Sequence, residues 1–274
     1  MKIYDVKIVR SGNIIEIYKY KKLQIKNTKD KKNLKNTVSS TESSLSNEKK
    51  VKSHNSENNK LNFTRFETSI LRSKRMIRRL IDANVNQYNE TDKFVTLTFK
   101  EKDMNKLTRD YVFYSLKEFM RKMYDMYGKF EYIAVIEKGE TGTKRLHLHL
   151  VCFGLKYLHQ TKLQKIWSKG IVDIRKIEVF ENSSYSISSY MTKYISKTLS
   201  GDYIPQGKKF YSTSRGLKKP LEDYLTIGEY EKIEGDLGKE VFKVDCENYY
   251  VGKFEYLKRV TSVRKGEINA SLSR

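Results

Sequence analysis

Cysteine is almost missing from this chain: Cys152 and Cys246 are the two in 274 residues, far apart and without metal-ligand spacing. That argues against a disulfide scaffold or a zinc finger, and it fits a reducing cytosol. Long apolar runs are missing too. No stretch is long enough to span a bilayer, no helical segment has the greasy face of a membrane-surface helix, and the N-terminus MKIYDVKIV lacks the apolar stretch of a signal peptide. The expected location is therefore cytoplasmic, with no membrane partner. Negative charge is in short supply: 55 Lys+Arg against 33 Asp+Glu leave +22. An excess of that size self-repels unless an anion is close, and nucleic acid is the first candidate. Tryptophan occurs once and histidine 4 times, whereas tyrosine occurs 20 times. Tyrosines among lysines suit a surface that stacks bases and neutralises phosphates, although a Lys-, Asn- and Tyr-rich composition produces the same count without that role.

Residues 1–23 are expected to form a β-hairpin, with Val6, Ile8, Ile14, Ile15 and Ile17 flanking the turn Ser11-Gly12-Asn13. Residues 24–62 lose apolar content almost entirely and are expected to be a disordered polar linker. From 63 to 90 the pattern turns helical. Ile70, Leu71, Ile77, Leu80 and Ile81 make one stripe, and Arg72, Lys74, Arg75, Arg78 and Arg79 make a basic remainder. Arg72, Arg75 and Arg79 are candidates for DNA-backbone contacts; a merely solvated basic face fits the same pattern equally well. Residues 91–216 then read as strand 94–99, helix 111–127, strands 132–137 and 146–153, helix 159–168, strand 171–179, helix 183–199 and strand 209–212. That order predicts an α+β fold, an antiparallel-rich sheet of about five strands with helices packed on it. Residues 217–274 are expected to be a C-terminal extension, helical at first and strand-like over 240–260, with no chemistry assigned.

The chemistry is concentrated in two places. Leu146-His147-Leu148-His149-Leu150-Val151 is a strand in which residues i and i+2 share a face, so His147 and His149 point one way and the leucines the other. Two imidazoles side by side can share one cation, and a hard dication asks for an oxygen as well. Glu137 ends the preceding strand and comes to lie across from His147 if 132–137 and 146–153 form a hairpin; Glu140, in the turn, is the alternative. The second place is Ser189-Tyr190-Met191-Thr192-Lys193-Tyr194-Ile195-Ser196-Lys197. There Tyr190, Lys193, Tyr194 and Lys197 follow one another around a helical stripe, beside an aliphatic stripe of Ile187, Met191, Ile195 and Leu199. Tyr190 is expected beside Lys197, and Tyr194 nearer the aliphatic edge. A phenol is a weak nucleophile near neutral pH, and neighbouring ammonium groups favour the phenolate and pair with phosphate oxygens.

FVTLTF, LHLHLV and YMTKYISK, in that order, resemble motifs one, two and three of HUH endonucleases, and most closely those of the rolling-circle replication initiators of plasmids and small phages. The resemblance covers roughly residues 91–216. It implies a five-stranded antiparallel sheet with the histidines on a central strand. It also implies that His147, His149 and an acidic residue (Glu137 or Glu140) hold Mg²⁺ or Mn²⁺, and that Tyr190 is the first-choice nucleophile. The one-turn spacing to Tyr194 is similar to that of the two-tyrosine initiators. Lys193 and Lys197 would assist at the phosphate, and Arg145, just before the histidine strand, would contact DNA. The implied partners are single-stranded or hairpin origin DNA in a bacterial or phage-infected cell. No Gly-rich phosphate loop followed by Lys and Ser/Thr is present, so a host helicase and DNA polymerase are expected to act with it. A mobilisation relaxase, an HUH transposase, or a non-catalytic nucleic-acid-binding protein are the other readings.

Overall fold

The computed structural model describes residues 1–26, 65–88, 91–100, 107–138, 146–177, 188, 191, 209–248 and 250–261. In chain order the elements are β1 (Lys2–Ser11), β2 (Ile14–Lys26), α1 (Arg65–Asn84), β3 (Lys93–Thr98), α2 (Arg109–Tyr127), β4 (Glu131–Lys138), β5 (Leu146–Phe153), α3 (Gln160–Trp167), β6 (Val172–Lys176), β7 (Tyr211–Thr213), β8 (Leu221–Leu225), α4 (Ile227–Glu231), β9 (Lys239–Asn248) and β10 (Gly252–Val260). Among the described residues, two antiparallel five-stranded sheets and the helices α1 to α4 make the fold α+β. The chain divides into two units, Met1–Met76 with Pro220–Val263, and Ile77–Lys219 with Arg264–Arg274. Among the described residues no helix is long and apolar enough to cross a membrane.

The first unit is a sheet of order β8-β1-β2-β10-β9. The hairpin β1–β2 turns at Gly12, whose φ of 60° lies in the region glycine adopts without strain. Strand alternation buries Val6, Ile8, Ile15, Ile17 and Leu257 against Tyr230 of α4, while Val9, Tyr18, Tyr20, Phe254 and Tyr256 cluster with one another. The C-terminal residues supply three of the five strands. Most of the polar stretch expected over 24–62 lies outside the described residues; Gln24, Ile25 and Lys26 extend β2.

The second unit holds the sheet β6-β3-β5-β4-β7, with β5 at its centre. Alternate residues of its strands (Val95, Leu97, Ala134, Ile136, Leu146, Leu148, Leu150, Cys152 and Val172) form one core with Leu116, Phe119, Met120 and Met123 of α2 and Leu163, Ile166 and Trp167 of α3. Each fully buried aliphatic side chain contributes ~1.5–3 kcal/mol. Both helices start on a side-chain cap: Thr108 accepts from the Tyr111 N–H, and His159 from the Thr161 N–H. Because the helices cover one face of the sheet, the odd–even alternation sends the intervening strand residues to the other face. That face carries the histidines.

Candidate active site

Strand register decides which side chains meet. On β5, His147 pairs with Thr98 of β3 on one side and Glu137 of β4 on the other; His149 pairs with Thr96 and Val135. Thr96, Thr98, Glu137 and both histidines therefore stand on the sheet face opposite α2 and α3. The hairpin β4–β5 places Glu137 across from His147, and its side chain reaches diagonally to the next position. Glu137 Oε2 lies 2.6 Å from His149 Nε2. Both groups are nearly withdrawn from solvent, His149 at 4% and Glu137 at 7% exposure, and His147 is half-buried.

The two imidazoles lie within 10° of parallel, their centres 6.0 Å apart, and Phe94 stacks on His149 at 5.8 Å and 17°. Their inner nitrogens are each matched to a hydroxyl: His147 Nδ1 is 3.1 Å from Thr98 Oγ1, and His149 Nδ1 is 3.2 Å from Thr96 Oγ1. A 2.6 Å separation between imidazole nitrogen and carboxylate requires a proton between them. A cation seated there would replace that proton.

Two imidazoles and a carboxylate on one face are a donor set suited to a divalent first-row ion. Adjacent ligands of one Mg²⁺ or Mn²⁺ ion stand about 3 Å apart, so the Glu137–His149 pair would open by a few tenths of an ångström to admit it. Among the described residues no three His, Cys, Asp or Glu side chains already form a metal-binding group. The residues fit the ion in kind and in placement on one face, with the carboxylate closed onto His149.

The end of β3 is pinned from the helix side. The Trp167 indole N–H donates to the Thr98 carbonyl at 3.1 Å, the Thr98 N–H donates to the Ile171 carbonyl at 2.8 Å, and a Cβ at Gly170 would overlap the Thr98 carbonyl oxygen. Thr96, Thr98, Phe94 and Gly170 were not among the candidate residues read from the sequence. A signal for the threonines was there: in FVTLTF they alternate with Val95, Leu97 and Phe99, so both occupy the face away from the core.

Of the expected DNA contacts on α1, Arg72 is exposed, Arg75 half-buried and Arg79 buried at 8% exposure. Arg79 is thus withdrawn from the solvent-facing basic surface. The charge excess is unevenly spread: residues 1–26 and 220–261 carry 13 Lys+Arg against 12 Asp+Glu, whereas residues 77–219 carry 27 against 15. Arg145, Glu140, Tyr190, Lys193, Tyr194 and Lys197 lie outside the described residues. Their neighbours Ser188 and Met191 are helical and buried, at 1% and 0% exposure.

Residues 92–199 match a family model described as a replication-associated protein of the ORF2 type. The chain is also similar to a solved structure, the crystal structure of the hypothetical protein ORF119 from Sulfolobus islandicus rod-shaped virus 1. Identity is 17%, the match covers 47% of this chain and 96% of that one, and the TM-score is 0.30. No curated protein matches the chain.

Proposed function

We propose that this chain is a rolling-circle replication initiator that nicks and rejoins single-stranded origin DNA through a 5′-phosphotyrosine intermediate. The observation that carries the proposal is the pair His147 and His149, parallel on the sheet face away from α2 and α3 with Glu137 closed onto His149, inside the segment that matches a replication-associated family. The resemblance of FVTLTF, LHLHLV and YMTKYISK to the three HUH motifs supports the same reading.

In this reading His147, His149 and Glu137 hold Mg²⁺ or Mn²⁺, which supplies Lewis-acid stabilisation of the scissile phosphate. The Tyr190 hydroxyl loses its proton and attacks phosphorus. A tyrosyl ester forms with the 5′-phosphate of the strand downstream of the break, the P–O bond to the 3′ oxygen of the upstream strand breaks, and that oxygen takes up a proton in place of the one the tyrosine lost, leaving a 3′-OH. Lys193 and Lys197 pair with phosphate oxygens and favour the phenolate. The ester conserves the bond, so attack by a 3′-OH rejoins the strand and returns the tyrosine. Tyr194 serves a second cleavage. The exposed cations of the catalytic unit, with Arg72, Arg75 and Arg145, hold the DNA backbone. A host polymerase extends the 3′-OH, and a host helicase opens the duplex.

The test is incubation of the full chain with a labelled single-stranded origin library and Mn²⁺, followed by denaturing electrophoresis. A covalent protein–DNA band that disappears in EDTA and in the His147→Ala, His149→Ala double variant is expected, with much of the salt-sensitive DNA binding retained. Nicking that survives EDTA undiminished would sink the metal-dependent mechanism. Binding without any cleavage would leave a non-catalytic nucleic-acid-binding protein.

A further inference from the structure

We infer that Thr96 and Thr98 are positioning residues that set the tautomer and ring orientation of His149 and His147, so that each imidazole presents its Nε2 lone pair to a cation. The inference rests on the metal-dependent reading above and assigns a role to β3 that the motif resemblance does not. Each threonine stands directly opposite its histidine in the β3–β5 register, and each hydroxyl oxygen lies 3.1–3.2 Å from that histidine's Nδ1. A neutral imidazole carries one proton. A neutral imidazole whose Nδ1 donates to a threonine oxygen has Nε2 as its acceptor, the form that ligates a metal; at His149 this form is reached when a cation takes the place of the proton shared with Glu137.

Two further features favour positioning over simple sheet pairing. The same device is repeated at successive i, i+2 steps, so both rings are held at once and lie within 10° of parallel. The backbone that carries Thr98 is itself fixed, by Trp167 Nε1 on its carbonyl and by the Ile171 carbonyl on its N–H. An ordinary threonine–histidine cross-strand pair would stabilise the sheet without regard to which ring nitrogen holds the proton. Valine keeps the β-branched shape and removes the hydroxyl, so Thr→Val separates the two roles.

The experiment compares Thr96→Val and Thr98→Val with Thr96→Ser and Thr98→Ser in the full chain, using three readouts. These are Mn²⁺ affinity by calorimetry, the ¹⁵N shifts of the imidazole nitrogens, and the melting temperature. Each valine variant is expected to bind Mn²⁺ roughly 10–100-fold more weakly while remaining folded, and each serine variant to stay within a few-fold of wild type. The Nδ1–H tautomer of His147 is expected to dominate in the wild type and to give way in Thr98→Val. Valine variants that keep both wild-type Mn²⁺ affinity and wild-type tautomers would overturn the inference. Wild-type protein that binds no Mn²⁺ would instead overturn the proposed function. The ¹⁵N spectra would then decide the threonine role alone: a switched His147 tautomer sustains it and an unchanged one overturns it.

Discussion

Replacing Glu137 by Gln probes the centre of the site with little change of shape. The carboxylate bonds His149 at 2.6 Å, with side-chain exposures of 9% and 5% respectively, so water screens the pair weakly. A hydrogen bond to a charged group contributes ~1.5–3 kcal/mol and a neutral one ~0.5–1.5, so the metal-free protein should lose about 1–2 kcal/mol. At roughly 2–4 °C per kcal/mol for a chain of this size, melting should fall by about 2–8 °C. The larger effect is expected on the response to metal. Mn²⁺ at ~100 times its dissociation constant adds ~2.7 kcal/mol to the wild type. If the variant binds on the order of 100-fold more weakly, the same concentration adds only ~0.4 kcal/mol. Thermal melts with Mn²⁺ and with EDTA read both effects. A Glu137→Gln protein stabilised by Mn²⁺ as much as wild type would refute the assignment, and loss of the response in Glu140→Gln instead would move the ligand to the turn.

Other consequences are equally open to measurement. Gly170→Ala places a methyl group on the Thr98 carbonyl; it should cost roughly 1–3 kcal/mol by thermal melt and weaken Mn²⁺ binding as well, because Thr98 must shift. Arg72 is exposed and Arg79 buried. Arg72→Glu should therefore weaken DNA binding across all sequences and flatten its salt dependence, whereas Arg79→Glu should lower the melting temperature first. Burial, with a smaller contribution from the Asp92 carboxylate, pushes the Cys152 thiol up to about 12, while Cys246 is half-buried. In native protein near pH 8 a thiol reagent should modify Cys246 first and reach Cys152 only on unfolding; prompt reaction of both would show that this core opens.

Much of the site could be read from strand periodicity, because alternation is a local property. Leu146–Phe153 is a strand with the leucines in the core and the histidines on the far face. Hairpin logic also placed Glu137 across from His147, and the register has it there. The diagonal bond to His149 was not legible, since it depends on side-chain rotation and not on register. FVTLTF reads as a strand and as the first motif, without a role for its threonines; their partners are set by β3–β5 pairing, more than 45 residues apart in sequence. The first sheet joins β1 to β8 and β2 to β10 across more than 200 residues, and no local pattern announces such pairing. A basic residue on α1 likewise gives no local sign of burial, which is why Arg79 grouped with Arg72 in the sequence.

Whether a tyrosine of this chain becomes joined to DNA is decided by mapping the adduct. The full chain is incubated with single-stranded origin DNA and Mn²⁺, digested with protease and nuclease, and the nucleotide-bearing peptide is sequenced by mass spectrometry. A 5′-phosphate ester on Tyr190 is expected, lost in Tyr190→Phe, with Tyr194→Phe still able to nick once. An adduct on Tyr194 alone would overturn the choice of nucleophile, and DNA cleaved with no tyrosine adduct would contradict the mechanism.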